Sequence, residues 1–190
     1  MVADFIVDHS VVEETLCFVD KYPWRLYFDG SSHKNGVGIG VLIISPHNIP
    51  TKYKFKIQDL CSNNEAEYEA LIVGLEILLE LGASHVEIRG DSELVIKQLT
   101  KEYKCIKEHL IKYFIVANTL LRKFEYVHLE HLPRIDNQVA NELAQIASGY
   151  KVSKQSLEEL IEIRDKLIPD DSSSYLLSTP KTGGGNRYKY

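Results

Sequence analysis

The sequence is poor in cysteine, has no long apolar run, no glycine-rich nucleotide loop and no excess of basic charge. Its three cysteines, Cys17, Cys61 and Cys105, are odd in number and widely spaced. No Cys-x-x-Cys pair occurs, which argues against thiolate zinc, and reduced thiols suit an intracellular compartment. No apolar stretch approaches the roughly 18 residues a membrane span requires. The longest, Ala70 to Leu81, is interrupted by Glu76 and Glu80. The first residues, Met1-Val2-Ala3-Asp4, show no basic region followed by an apolar run, so no secretory signal is expected there. These absences predict a protein of the cytoplasm or nucleus, off the membrane and not secreted. The net charge of −5 argues against a generic nucleic-acid coat, which would be basic. It does not exclude chemistry on a polyanion, because bound divalent cations reverse the sign of an acidic site.

What is present is an ordinary globular composition, 44% apolar and 26% charged over 190 residues. That length holds one domain and its flanks. Residues 1–21 carry two apolar clusters, Phe5-Ile6-Val7 and Leu16-Cys17-Phe18-Val19, and read as a leader or linker. From Tyr22 to Tyr150 the pattern is that of a folded domain. Trp24 to Asp29 is strand-like, Gly30 to Gly36 is turn chemistry, Val37 to Ser45 is a second strand, and Thr51 to Ile57 alternates as a third. Ser62 is an N-cap signal for a long helix to about Leu81, closed by Gly82. A short strand at Val86–Ile88, helices from Asp91-Ser92 to Thr100 and from Glu108 to Lys123, a strand over Phe124–Leu132 and a helix over Asn137–Ser148 follow. This order predicts an α/β domain of three layers with a five-stranded mixed sheet flanked by helices. Leu157 to Leu167 reads as a helix within a linker spanning 151–168, and residues 169–190, rich in Ser and Gly, as a disordered tail.

The carboxylates carry the chemistry. On the long helix Glu65, Glu69, Glu76 and Glu80 fall within an arc of about 60°, a water-facing stripe, while Glu67 lies nearly opposite among Ala70, Leu71, Gly74, Leu75 and Leu78. Two readings fit Glu67. Either it points inward, where an unpaired carboxylate costs several kcal/mol and calls for a metal partner, or it sits at the edge of the stripe and reaches solvent. Asp29 ends a hydrophobic strand before Gly30, and Asp91 follows another and precedes a helix. Taken singly, a turn and a helix cap explain each. Taken with Glu67, they make a dense negative cluster whose oxygen-only ligands select Mg²⁺ or Mn²⁺ over zinc.

Four runs occur in the order found in type 1 ribonucleases H. They are Asp29-Gly30-Ser31, Ser62-Asn63-Asn64-Glu65-Ala66-Glu67-Tyr68-Glu69-Ala70, Gly90-Asp91-Ser92, and Asn137-Gln138-Val139-Ala140-Asn141-Glu142-Leu143-Ala144. The Asn63-to-Ala70 run and the Pro133-Arg134 loop most resemble the archaeal-like ribonuclease H domains of plant gypsy-type retrotransposon polyproteins. The resemblance implies a two-Mg²⁺ endonuclease, with Mn²⁺ as the other cation such ligands accept, that cuts the RNA strand of RNA–DNA hybrids. It implies Asp29, Glu67 and Asp91 as catalytic metal ligands, with Asn141 where the family carries its fourth acid. It implies Gly30, Ser31 and Ser32, with Asn63 and Asn64, as contacts to the ribose 2′-hydroxyl, the group that marks an RNA strand. Arg134 is expected to face phosphate, and His131, near the family's loop histidine, to be structural. Reverse transcriptase and integrase segments of a parent polyprotein are the implied partners. The neutral Asn141 keeps a second reading open: a weakened or inactive hybrid-binding or spacer module.

Overall fold

The computed structural model describes residues 22–150 and 162–169. The leader, the first part of the expected linker and the tail lie outside the described residues. Three strands open the chain: β1 (Trp24–His33), β2 (Gly36–Ile44) and β3 (Pro50–Ile57) form an antiparallel meander. Then come α1 (Asn63–Glu80), β4 (His85–Gly90), α2 (Glu93–Leu99), α3 (Glu108–Leu121), β5 (Tyr126–His131), a 3-10 turn (Arg134–Asn137) and α4 (Gln138–Ala147). A last short strand, β6 (Glu162–Arg164), follows, and the order across the sheet is β5-β4-β1-β2-β3-β6, with β4 parallel to both β1 and β5.

Local chemistry sets the ends of α1. Ser62 Oγ accepts from the Glu65 amide at 3.3 Å, and Glu65 Oε2 accepts from the Ser62 amide at 2.7 Å, a reciprocal capping box. Gly82, at φ 76°, closes the helix as expected of a residue that must turn left-handed. One face of the sheet packs on α1 through Leu26, Phe28 and the wholly buried Leu71, Leu75 and Leu78. The other receives α4. A Cβ on Gly38 or Gly40 would overlap the α4 backbone at Ala144 or Ala140, so these glycines let α4 lie directly on β2. No helix among the described residues is long and apolar enough to cross a membrane.

Three expectations are corrected. The first strand does not end at Asp29. It runs on to His33, with Gly30, Ser31 and Ser32 paired to Ile39, Gly38 and Val37, because the turn is confined to Lys34-Asn35. The sheet has six strands, not five. Where a helix was expected over Leu157–Leu167, Glu162–Arg164 forms β6, parallel to β3, and the Gln58 amide donates to the Arg164 carbonyl at 3.0 Å. The free edge of β3 offers hydrogen-bonding groups that outweigh a weak local helical pattern. Finally, Glu65 and Glu69 do not face water. Glu69 is fully buried, accepting from the Tyr113 hydroxyl at 2.6 Å and the Leu167 amide at 2.9 Å. A second layer, α3 and residues 166–168, covers the face that periodicity assigned to solvent.

Candidate active site

The parallel pairing of β1 with β4 ends at Phe28 opposite Gly90. Asp29 and Asp91 are each the next residue, so both carboxylates emerge where the two strands part. Such a crevice at the carboxyl ends of parallel strands is the usual site of an open α/β sheet. Gly30 then lets α1 come against β1: a Cβ there would overlap the Ala66 carbonyl carbon and the Glu67 amide. This approach brings Glu67 over the crevice, where its Oε2 accepts from the Gly30 amide at 3.2 Å. One carboxylate oxygen from each of Asp29, Glu67 and Asp91 lies within 4.8 Å of the others.

The cluster is electrostatically costly by itself. Burial and the neighbouring Asp91 carboxylate push the Asp29 carboxyl up to about 8, against the opposing pull of Arg134. Glu67 is pushed well above the carboxylate range by burial, then by Asp29 and Asp91, with the Gly30 amide opposing. Three mutually repelling oxygen donors, with the Asp29 and Glu67 carboxyls raised by burial and by that repulsion, fit a hard divalent cation, which would offset the negative charge. The carboxylates open onto a cleft of about 240 Å³, whose walls include Ser31, Ser32, His33, Asn63 and Arg134. Ser32 Oγ donates to the Cys61 carbonyl at 2.7 Å, tying the β1 wall to the loop before α1.

Most of the expected site residues meet here, including Gly30, which also lines the cleft. Asn64 does not line it. Asn141 stands on α4 beside a neighbouring groove lined by Arg134, Ile135, Gln138 and Glu142. In the orientation its neighbours dictate, its carboxamide oxygen accepts from Arg134 Nε at 3.0 Å and Nη2 at 2.8 Å. His131 is exposed at the end of β5, with Nε2 at 3.3 Å from the Asp91 carbonyl oxygen.

Sequence reasoning passed over Asn137, reading it as a helix start. Its side chain makes no cap hydrogen bond. Instead Asn137, 1% exposed, donates through Nδ2 to Asp91 Oδ1 at 2.6 Å and to the Phe28 carbonyl at 2.8 Å. It ties β1 to the end of β4 behind the carboxylates. Capping was a sufficient account of an asparagine at that position, so no local signal marked it. Asn137→Ala is expected to destabilise the fold by about 1–3 kcal/mol, the usual cost of stranding buried acceptors, as read by urea denaturation.

The layered sheet and acidic crevice define a domain of the ribonuclease H-like fold class. A family described as reverse transcriptase-like matches residues 27–147. Ribonuclease HI of Halobacterium salinarum is 35% identical over 123 residues, covering 64% of this chain and 62% of that protein. A bifunctional protein of Mycobacterium tuberculosis is 36% identical over 86 residues, 45% of this chain and 24% of its own length. The crystal structure of RNase H1 from Halobacterium salinarum superposes with a TM-score of 0.64 at 33% identity, covering 68% of this chain and 99% of that one. LC11-RNase H1, solved in complex with RNA/DNA hybrid, gives 0.61 at 31% identity, with 68% and 99% covered. The chain thus spans under two thirds of these curated relatives' length. It belongs to the type 1 ribonuclease H family.

Proposed function

We infer that the chain is an endonuclease that hydrolyses the RNA strand of RNA–DNA hybrids. The observation that carries this reading is the convergence of Asp29, Glu67 and Asp91 within 4.8 Å at the floor of the cleft. These three would hold two Mg²⁺ ions, with Mn²⁺ as a substitute. Divalent cations bound there supply an activated water and charge stabilisation at the leaving oxygen. Water oxygen bonds to phosphorus, the bond to the 3′ oxygen breaks, and the products carry 5′-phosphate and 3′-hydroxyl ends. Asn137 keeps Asp91 in place against the strand ends. Gly30, Ser31, Ser32 and Asn63 form the wall that meets ribose, and Asn64 beside them frames the first turn of α1. Arg134 offers its guanidinium to phosphate and opposes the negative field of the carboxylates.

Asn141 is the fourth catalytic and metal position in this reading. It contributes an oxygen without charge, shared with Arg134. That engagement favours one alternative, a hybrid-binding domain with weak or no cleavage. Incubating a labelled hybrid with the full chain and Mg²⁺ tests both: cleavage of the RNA strand alone supports the enzyme, while binding without cleavage at any Mg²⁺ or Mn²⁺ concentration supports the alternative. Asn141→Asp is expected to lower the Mg²⁺ needed for half-maximal cleavage by about tenfold, since it adds a charge beside the ions.

The Asn63-to-Ala70 run and the Pro133-Arg134 loop further support an origin in a plant retrotransposon polyprotein. Reverse transcriptase and integrase segments would then be its partners, and cytoplasm or nucleus its location.

A further inference from the structure

Beyond the catalytic cleft, the described residues bury a second set of charges, and the mechanism uses none of them. After β6, the chain crosses the loop before α1 and the outer face of that helix. The Lys166 amide donates to Asp59 Oδ2 at 3.2 Å, and the Leu167 amide donates to Glu69. Between them the Lys166 side chain, 6% exposed, turns inward and places Nζ at 3.3 Å from Glu65 Oε1. The other oxygen of that carboxylate, Oε2, receives the Ser62 amide of the capping box.

We propose that Lys166 is a positioning residue for the substrate wall of the cleft, acting through Glu65. An ammonium on Oε1 restricts Glu65 to the rotamer that presents Oε2 to Ser62. Ser62 in turn fixes the first turn of α1, where Asn63 faces the cleft, and lies next to Cys61, whose carbonyl holds Ser32. Anchoring alone does not call for a charge. β6 pairing, the Arg164 guanidinium over the Phe55 ring at 5.4 Å and the packing of Leu167 and Ile168 already hold the segment. A well-packed apolar side chain in place of a buried ion pair is commonly as stable or more so. What the ion pair adds is a fixed direction for one carboxylate. The segment that sequence periodicity assigned to a linker thereby becomes part of the wall's support.

The substrate part of this proposal rests on the hybrid-nuclease reading; the structural part does not. The test is Lys166→Met in the full chain, with amide hydrogen exchange at Ser62 and Glu65 measured alongside KM and kcat on hybrid. Exchange at both amides should accelerate about tenfold as the cap loosens locally. KM should rise by about fivefold, more than kcat falls, because the wall is displaced and the carboxylates are not. Lys166→Arg should restore both. Unchanged exchange overturns the proposal, and so does faster exchange with KM unchanged, which would make the segment an anchor only. If Lys166→Met does not fold, Glu65→Gln, which keeps the side chain's length, is held to the same readouts. If the unmodified chain does not cleave, hybrid affinity replaces KM. The nuclease reading then fails while Lys166 is still judged by exchange and binding.

Discussion

Asp29→Asn is expected to abolish the proposed RNA cleavage and at the same time to stabilise the cation-free protein at alkaline pH. The loss of activity should be on the order of 10²–10³-fold or greater, the range for removing one preorganised charge-stabilising group. The gain in stability follows from the raised carboxyl. Asp29 titrates at about 8 in the folded protein against an ordinary 3.8, because it is buried and faces Asp91. Between those values the folded state keeps a proton that the unfolded chain has released. Stability therefore falls as pH rises through that window, and the deficit is complete above the folded value. Glu67, shifted in the same direction, steepens the slope. Asparagine removes the Asp29 share, so at pH 8 the Tm of Asp29→Asn in EDTA should exceed that of the unmodified chain by about 5–10 °C, whereas at pH 4 the two should agree. Mg²⁺ should reverse the order. At a hundredfold excess over Kd it stabilises the unmodified site by about 2.7 kcal/mol and the variant by far less. Calorimetric scans at both pH values, with and without Mg²⁺, check every part. Equal Tm values in EDTA at pH 8 would show that Asp29 is not held protonated.

Gly30→Ala should be as damaging to the fold as Asp29→Asn is to the chemistry. The added methyl meets backbone, the Ala66 carbonyl and the Glu67 amide, so no rotamer change relieves it. Either α1 moves off β1 or β1 bends. Overpacking costs of about 3 kcal/mol apply here, lowering Tm by about 10 °C. The displacement also stretches the hydrogen bond from the Gly30 amide to Glu67, so Mg²⁺-induced stabilisation should shrink even where the variant remains folded. A variant with normal Tm and normal Mg²⁺ response would mean that the close approach of helix to strand is not required.

The two substitutions show which residues spoke for themselves. Asp29 and Asp91 are legible as strand-following carboxylates, and Ser62 and Gly82 as the ends of a helix, because caps and turns are written in a few neighbouring residues. Glu67 was legible as the glutamate out of phase with its helix. The same periodicity failed for Glu65 and Glu69, because it assumes one buried face. Here α3 and residues 166–168 cover the second face from far along the chain, as the separations of Tyr113 from Glu69 (44) and Lys166 from Glu65 (101) record.

The sequence by itself determined the class of fold, the order of most elements, the three acidic positions and the neutral Asn141. All but the last rest on local patterns of polarity, capping and spacing; Asn141 rests on the resemblance to type 1 ribonucleases H. Tertiary structure alone decided that Ser31 and Ser32 lie in a strand, that Asn137 ties Asp91 to β1, that Asn141 is engaged by Arg134, and that Glu162–Arg164 joins the sheet. Each depends on a partner distant in sequence, and a buried hydrogen-bonding group takes whichever partner the packed layers bring within reach.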